Sequence, residues 1–124
     1  MQRFLGFVRM EEGAGTPPQA LSDAMEAHIG ERAATGVFLD GGGLYGIEDA
    51  VNFVARQGKV SRVDGPYAEA KEVVGGWALL QYQTLEEAVA DQRVFTELHA
   101  TYWPEATVIS TLRQISTDTE SPGD

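Results

Sequence analysis

Apolar positions along the chain predict strands that are buried on both faces. In residues 3–9, Phe4 and Val8 point to one side of an extended chain and Leu5 and Phe7 to the other. Residues 77–83 show the same two-sided apolar pattern, and residues 107–115 predict the last strand. Strands of this kind lie inside a layered structure and not at its wetted edge.

Two long helices are predicted between these strands. The first covers residues 16–35, because residues 16–19 (Thr-Pro-Pro-Gln) match a capping box with Thr16 as the N-cap, and Gly36 follows its end. The second opens at another capping box, residues 84–87, and reaches about Leu98. The apolar stripe of the first helix is Leu21, Ala24, Met25, His28, Ile29 and Ala33. The buried side of the second is Leu85, Ala88, Val89, Gln92, Phe95 and Leu98.

Shorter elements fill the region between the helices. Residues 37–39 predict a strand that ends in a turn at residues 40–43, and residues 51–56 and 59–63 predict a hairpin around Gln57-Gly58. A short helix is predicted over residues 66–74. Two main helices among four main strands give the βαββαβ order of a ferredoxin-like α+β fold, with both helices on one face of the sheet.

Two helices can cover only one face of such a sheet, yet its central strands are apolar on both faces. The second face must be buried against something, and a second copy of the chain is the simplest partner. The sequence therefore predicts a homodimer that forms face to face through the open side of the sheet.

Composition limits the choice of partners. The 124 residues carry a formal net charge of −10, and their nine Lys and Arg residues form no cluster, so we expect neither nucleic acid nor a membrane surface as a partner. No cysteine and no long apolar run are present, which fits a cytoplasmic protein. We expect one domain over residues 1–115 and a disordered acidic tail over residues 116–124.

The densest local pattern is residues 63–72, Val-Asp-Gly-Pro-Tyr-Ala-Glu-Ala-Lys-Glu. It resembles the Asp-Gly-Pro-Phe signature of the YCII-related (DGPF) family, with Tyr67 in place of the Phe and Ala70 where Thr is common. Residues 39–44 and 75–79 fall where that family has a glycine-rich turn and a Gly-Gly-aromatic strand. The resemblance extends over about residues 2–115 and implies a ferredoxin-like dimeric α+β barrel.

The same resemblance suggests a chemistry. In related proteins a helix His and a nearby Asp are proposed as an acid–base pair, a few relatives are lyases of the dehydrochlorinase type, and others are linked to sigma-factor regulation. Here the candidate pair is His28 and Asp64, although His28 lies about one turn later than the family His. The alternatives are structural: a core histidine at His28 and a helix-capping carboxylate at Asp64.

Three more residues are candidates for substrate binding. Lys71 would attract an anionic group, and Tyr67 and Asp40 would line the same cleft. The alternatives are a solvated helix face for Lys71 and a turn for Asp40. His99 is expected to be an exposed cation at a helix end.

No cofactor is expected. The two histidines are too few and too distant for a zinc site, and the three glycines at 41–43 do not match a phosphate-binding loop. The first hypothesis is a small-molecule enzyme of lyase or isomerase type that acts on a small organic acid. The second is a non-catalytic ligand-binding or regulatory module that uses the same cleft.

Overall fold

The computed structural model describes residues 1–11, 13–65 and 72–116 of the chain. Within them the elements follow one another in a fixed order. They are β1 (Gln2–Glu11), α1 (Gln19–Ala34), β2 (Phe38–Gly43), β3 (Val51–Arg56), β4 (Lys59–Asp64), β5 (Glu72–Tyr82), α2 (Leu85–Tyr102) and β6 (Val108–Gln114). A single turn of 3-10 helix, Ile47–Asp49, precedes β3.

Four strands form the main sheet in the order β2-β5-β1-β6, and each neighbouring pair is antiparallel. With α1 after β1 and α2 after β5, this is the strand order of a ferredoxin-like fold, so the predicted α+β class is confirmed. β3 and β4 pair separately as a hairpin. Its turn is Gln57-Gly58, and the positive φ angles of both residues, 53° and 76°, suit a two-residue hairpin turn.

Both helices pack on the same face of the sheet. Phe4 and Leu80 are opposite each other in β1 and β5, and they form the core together with Tyr82 and Ala88. The alternate positions point to the other face, which neither helix covers; its apolar side chains include Leu5, Phe7, Trp77 and Leu79. The two-faced pattern in the sequence thus corresponds to one helix-covered face and one open face among the described residues.

The start of α1 differs from the prediction. The helix begins at Gln19 after Pro18, and Thr16 makes no capping bond. The reason is that a residue before a proline is disfavoured in helical conformation, so Pro17 cannot begin the helix when Pro18 follows it. Pro18 is extended, with ψ 148°, and its carbonyl accepts the first amides of the helix. The predicted end is confirmed, since Gly36 follows with φ 81°.

Strand pairing also replaces two predicted local structures. Residues 40–43 were expected to form a turn, but they continue β2 and pair with β5. Residues 72–74 were expected to end a short helix, but they begin β5 and pair with β1. The rest of that predicted helix, residues 66–71, lies outside the described residues, as do residues 117–124 of the predicted tail.

The second helix begins as predicted but extends further. The Thr84 side chain accepts a hydrogen bond from the Glu87 amide, which confirms the cap, and α2 continues to Tyr102. Its buried side agrees in part with the predicted one: Ala88 is buried as predicted and His99 is buried as well, whereas Leu85 and Val89 are about half exposed. No helix in the described part of the chain has the length and apolar character that crossing a bilayer requires.

Candidate functional site

The two helices run antiparallel to each other above the sheet and enclose a cavity. Arg32 on α1 forms a hydrogen bond with Asp91 on α2. One helical turn away on each helix, the ring of His28 contacts the ring of Phe95. Between this helix pair and the sheet lies a cavity of about 590 Å³. That volume is in the range of cavities that hold small organic ligands, and most of the lining surface is apolar.

Glycines form much of the floor of this cavity. Gly43 and Gly76 are opposite each other in β2 and β5 and fall on the helix-facing side of the sheet. A Cβ atom added at Gly76 would meet only the Gly42 carbonyl oxygen, at 3.5 Å, so the space above Gly76 is empty. Residues 40–43, which the sequence indicated as a turn, are therefore part of strand β2, and Gly43 and Gly76 leave open space above the sheet.

One end of the cavity is closed by a charged hydrogen-bond cluster. Arg32 donates to the Asp91 carboxylate from Nε at 3.1 Å and from Nη2 at 2.7 Å. The Tyr82 hydroxyl donates to the other carboxylate oxygen at 2.5 Å. The side chains of Arg32 and Asp91 are 24% and 16% exposed, so the pair is largely shielded from water. We call Arg32, Asp91 and Tyr82 the polar cluster.

At neutral pH the Asp91 carboxyl of the polar cluster is ionised and the Tyr82 hydroxyl is protonated. Burial raises the pKa of the Asp91 carboxyl, but hydrogen bonds from Arg32 and Tyr82 and the guanidinium charge outweigh it, so the pKa lies below its usual value. Burial, followed by the hydrogen bond to Asp91, raises the pKa of the Tyr82 hydroxyl. Asp91 is thus an anion that accepts, and Tyr82 is a neutral donor.

His28 lines the cavity one turn before Arg32. Its ring is half-buried and lies against Phe95, with ring centroids 5.5 Å apart. Burial, followed by the positive charge of Arg32, lowers the pKa of His28 below its ordinary 6.5, although the carboxylates of Asp91 and Glu31 act in the opposite direction. The imidazole of His28 is therefore neutral at pH 7 and able to accept a proton.

His99 lies on the other side of Phe95, with ring centroids 4.9 Å apart. It is only 5% exposed, so the expected exposed cation at a helix end is wrong. The reason is that α2 continues to Tyr102, which leaves His99 inside the helix and on its buried side. Its Nδ1 is 3.0 Å from the Phe95 carbonyl oxygen.

The predicted site residues do not come together in the described structure. Asp64 ends β4 and forms an exposed ion pair with Arg62 at 2.7 Å, and it is not among the residues that line the cavity with His28. Asp40 is exposed and accepts a hydrogen bond from the Gly41 amide at 2.8 Å. Tyr67 and Lys71 lie outside the described residues, so their predicted roles stay predictions.

Sequence reasoning missed the polar cluster and His99. Arg32 and Asp91 are 59 positions apart and neither belongs to a short motif. A signal was present, because Arg32 follows His28 by one helical turn and Asp91 precedes Phe95 by one turn. Pairing the two helices in antiparallel order would have placed the two charges together.

The fold and the cavity together define a class: a small α+β protein of ferredoxin-like topology with an apolar cavity between two antiparallel helices and a glycine-lined sheet. The sequence pattern of the YCII-related domain matches residues 3–95. The chain belongs to the YCII-related family, as the motif at residues 63–72 predicted. The matched region includes His28 and the polar cluster and ends before His99. No curated protein matches the chain in sequence.

Proposed function

We propose that this protein binds a small, mostly apolar organic molecule in the cavity between its helices and its sheet. The observation that carries the proposal is the partly open cavity of about 590 Å³ above the glycine floor. A core built only for stability would fill that volume, because cavities cost free energy in proportion to their size. The enzyme hypothesis requires such a site, and the second hypothesis, a ligand-binding or regulatory module, uses the same cleft for a metabolite or a protein partner.

The charges around the cavity favour a neutral ligand over the small organic acid expected from the sequence. Among the described residues that line the cavity, the arginine is Arg32, and its guanidinium is already bound by Asp91. A ligand carboxylate would have to displace that pairing and would meet the Asp91 charge. Since a desolvated carboxylate without a cation is costly, a neutral ligand fits better.

Filling the floor of the cavity tests this proposal. We expect Gly76→Leu to weaken binding of 2-methylnaphthalene at least tenfold, because the new side chain occupies the ligand space without a backbone clash. The matched control is Gly30→Leu, at an exposed glycine of α1 that does not line the cavity and where a Cβ would meet nothing. Fluorescence titration measures both. No binding to the wild type, or equal binding to both variants, would overturn the proposal.

A second candidate function is acid–base catalysis on the bound molecule, as in the lyase or isomerase hypothesis. The specific observation is the neutral, half-buried imidazole of His28 in the cavity wall. A neutral imidazole can remove a proton next to a carbonyl group and return it to another atom. Asp64 would contribute only if it approached this wall; in the described structure the carboxylates that influence His28 are those of Asp91 and Glu31.

Proton exchange on a neutral ketone distinguishes catalysis from binding alone. With 2-tetralone in D2O, the wild type should exchange the protons next to the carbonyl, and His28→Gln should exchange them about a hundredfold more slowly. Because the pKa of His28 is lowered, the rate should be constant near pH 7 and fall only as the pH drops below 6.5 and His28 is protonated. NMR follows the exchange. Equal rates in both proteins would leave only the binding function.

We also propose that the open sheet face forms a homodimer interface, as in a dimeric α+β barrel. The support is the set of apolar side chains on that face, Leu5, Phe7, Trp77 and Leu79, which neither of the two described long helices covers. A large apolar face left in water is uncommon in monomers. A two-fold pairing would cover it with the same face of a second copy.

A further inference from the structure

His99 is almost completely buried beside the cavity, yet one of its ring nitrogens has no hydrogen-bond partner among the described residues. The residue is 5% exposed and lines the cavity. Its Nδ1 lies 3.0 Å from the Phe95 carbonyl oxygen. Within residues 1–11, 13–65 and 72–116, no group forms a hydrogen bond with Nε2.

The bond to Phe95 fixes what Nε2 can do. A carbonyl oxygen only accepts, so Nδ1 carries the hydrogen and donates it. In the neutral ring Nε2 is then an acceptor with a free lone pair. Nε2 also keeps some accessible surface and is not fully enclosed by protein atoms. Because His99 lines the cavity, we infer that Nε2 opens onto it.

We propose that Nε2 of His99 accepts a hydrogen bond from the bound molecule, which therefore carries an O–H or N–H group. This inference rests on the proposed function and adds the ligand's polar group. A ligand donor would supply the hydrogen-bond partner that Nε2 lacks among the described residues. The polar cluster cannot be the missing partner of Nε2. Asp91 and His99 are eight residues apart on α2, which corresponds to about 12 Å along the helix.

The surroundings of His99 indicate the shape of the ligand. The rings of His28, Phe95 and His99 follow one another along the helix side of the cavity, with centroids 5.5 Å and 4.9 Å apart. On the sheet side, Gly43 and Gly76 present backbone without side chains. A flat ring fits between an aromatic wall and a bare backbone floor. The ligand class is thus a neutral aromatic molecule with one hydrogen-bond donor.

Two probes of similar shape test the role of His99. 2-Naphthol has a hydroxyl donor where 2-methylnaphthalene has a methyl group, and both are neutral near pH 7.5. In the wild type the preference for naphthol over methylnaphthalene should exceed that in His99→Phe by about fivefold. Methylnaphthalene itself should still bind His99→Phe. Fluorescence titrations give both dissociation constants.

Further variants make the result specific. His99→Leu provides a second removal should His99→Phe fold poorly, and His99→Gln should restore part of the preference because its amide oxygen also accepts. An unchanged preference in His99→Phe or His99→Leu would overturn the inference while leaving the cavity as a binding site. Failure of both probes to bind the wild type would instead overturn the proposed function, and this inference with it.

Discussion

Replacing Asp91 by Ala should destabilise the protein by about 2–3 kcal/mol. The carboxylate accepts from Arg32 and from Tyr82, so its loss leaves a largely shielded guanidinium and a buried hydroxyl without their acceptor. The pair is partly exposed, which places the expected loss below that of a fully buried ion pair. Urea unfolding at a fixed protein concentration measures the change in free energy.

The control for this variant is Glu97→Ala on the same helix. Glu97 is paired with Arg93, but both side chains are mostly exposed, so its loss should change the free energy of unfolding by no more than about 0.5 kcal/mol. Both variants remove one negative charge, which cancels the effect of net charge. A loss for Asp91→Ala as small as that for Glu97→Ala would show that the polar cluster does not hold the helices to the sheet.

Acid should reduce the difference between the wild type and Asp91→Ala. The pKa of Asp91 in the folded protein lies below the ordinary 3.8, so its stabilising contribution is fully present above that value. As the pH falls through the lower, folded pKa, the carboxyl is protonated in both states and the contribution disappears. A difference in unfolding free energy that persisted at strongly acid pH would contradict the assignment to Asp91 ionisation.

Placing a charge on the open sheet face should dissociate the proposed dimer. Leu79→Glu introduces a carboxylate at the centre of that face, and two-fold symmetry places two of them in each interface. Because both would be desolvated without a cation, we expect dimerisation to weaken at least about a hundredfold. Light scattering at micromolar concentration should then show a dimer for the wild type and a monomer for Leu79→Glu.

Val89→Glu serves as the control for the dimer experiment. Val89 is 55% exposed on α2, on the helix side of the sheet, so the same substitution there should leave the dimer intact. Circular dichroism establishes that both variants fold. A monomeric wild type, or a dimeric Leu79→Glu variant, would show that the open face is not the interface between copies.

The sequence predicted those parts of the fold that depend on short-range rules. The two-sided strands, the Gln57-Gly58 turn and the Thr84 cap each follow from a few neighbouring residues, and each is present. The turn predicted at residues 40–43 was wrong because glycine adopts turn and extended conformations equally readily. Only pairing with β5, which lies far along the chain, determines which of the two forms.

The candidate site was harder to predict because its contacts join distant residues. His28 was identified from its place in an apolar stripe, and it does line the cavity. The two largest charge effects on the pKa of His28 come from Arg32 and Asp91. The contact between Arg32 and Asp91 forms only when the two helices pack together. His99 was misjudged because its environment depended on where α2 ends.

The glycine floor gives the proposed ligand site an unusual freedom to change its ligand. The hydrogen bonds between β2 and β5 are made by main-chain atoms, so they do not depend on the residues at positions 43 and 76. A Cβ at either position meets nothing closer than ordinary contact distance, whereas one at Gly41 would collide with the Trp77 carbonyl. Relatives could therefore diverge in ligand preference through single replacements at these two sites while the architecture is inherited unchanged.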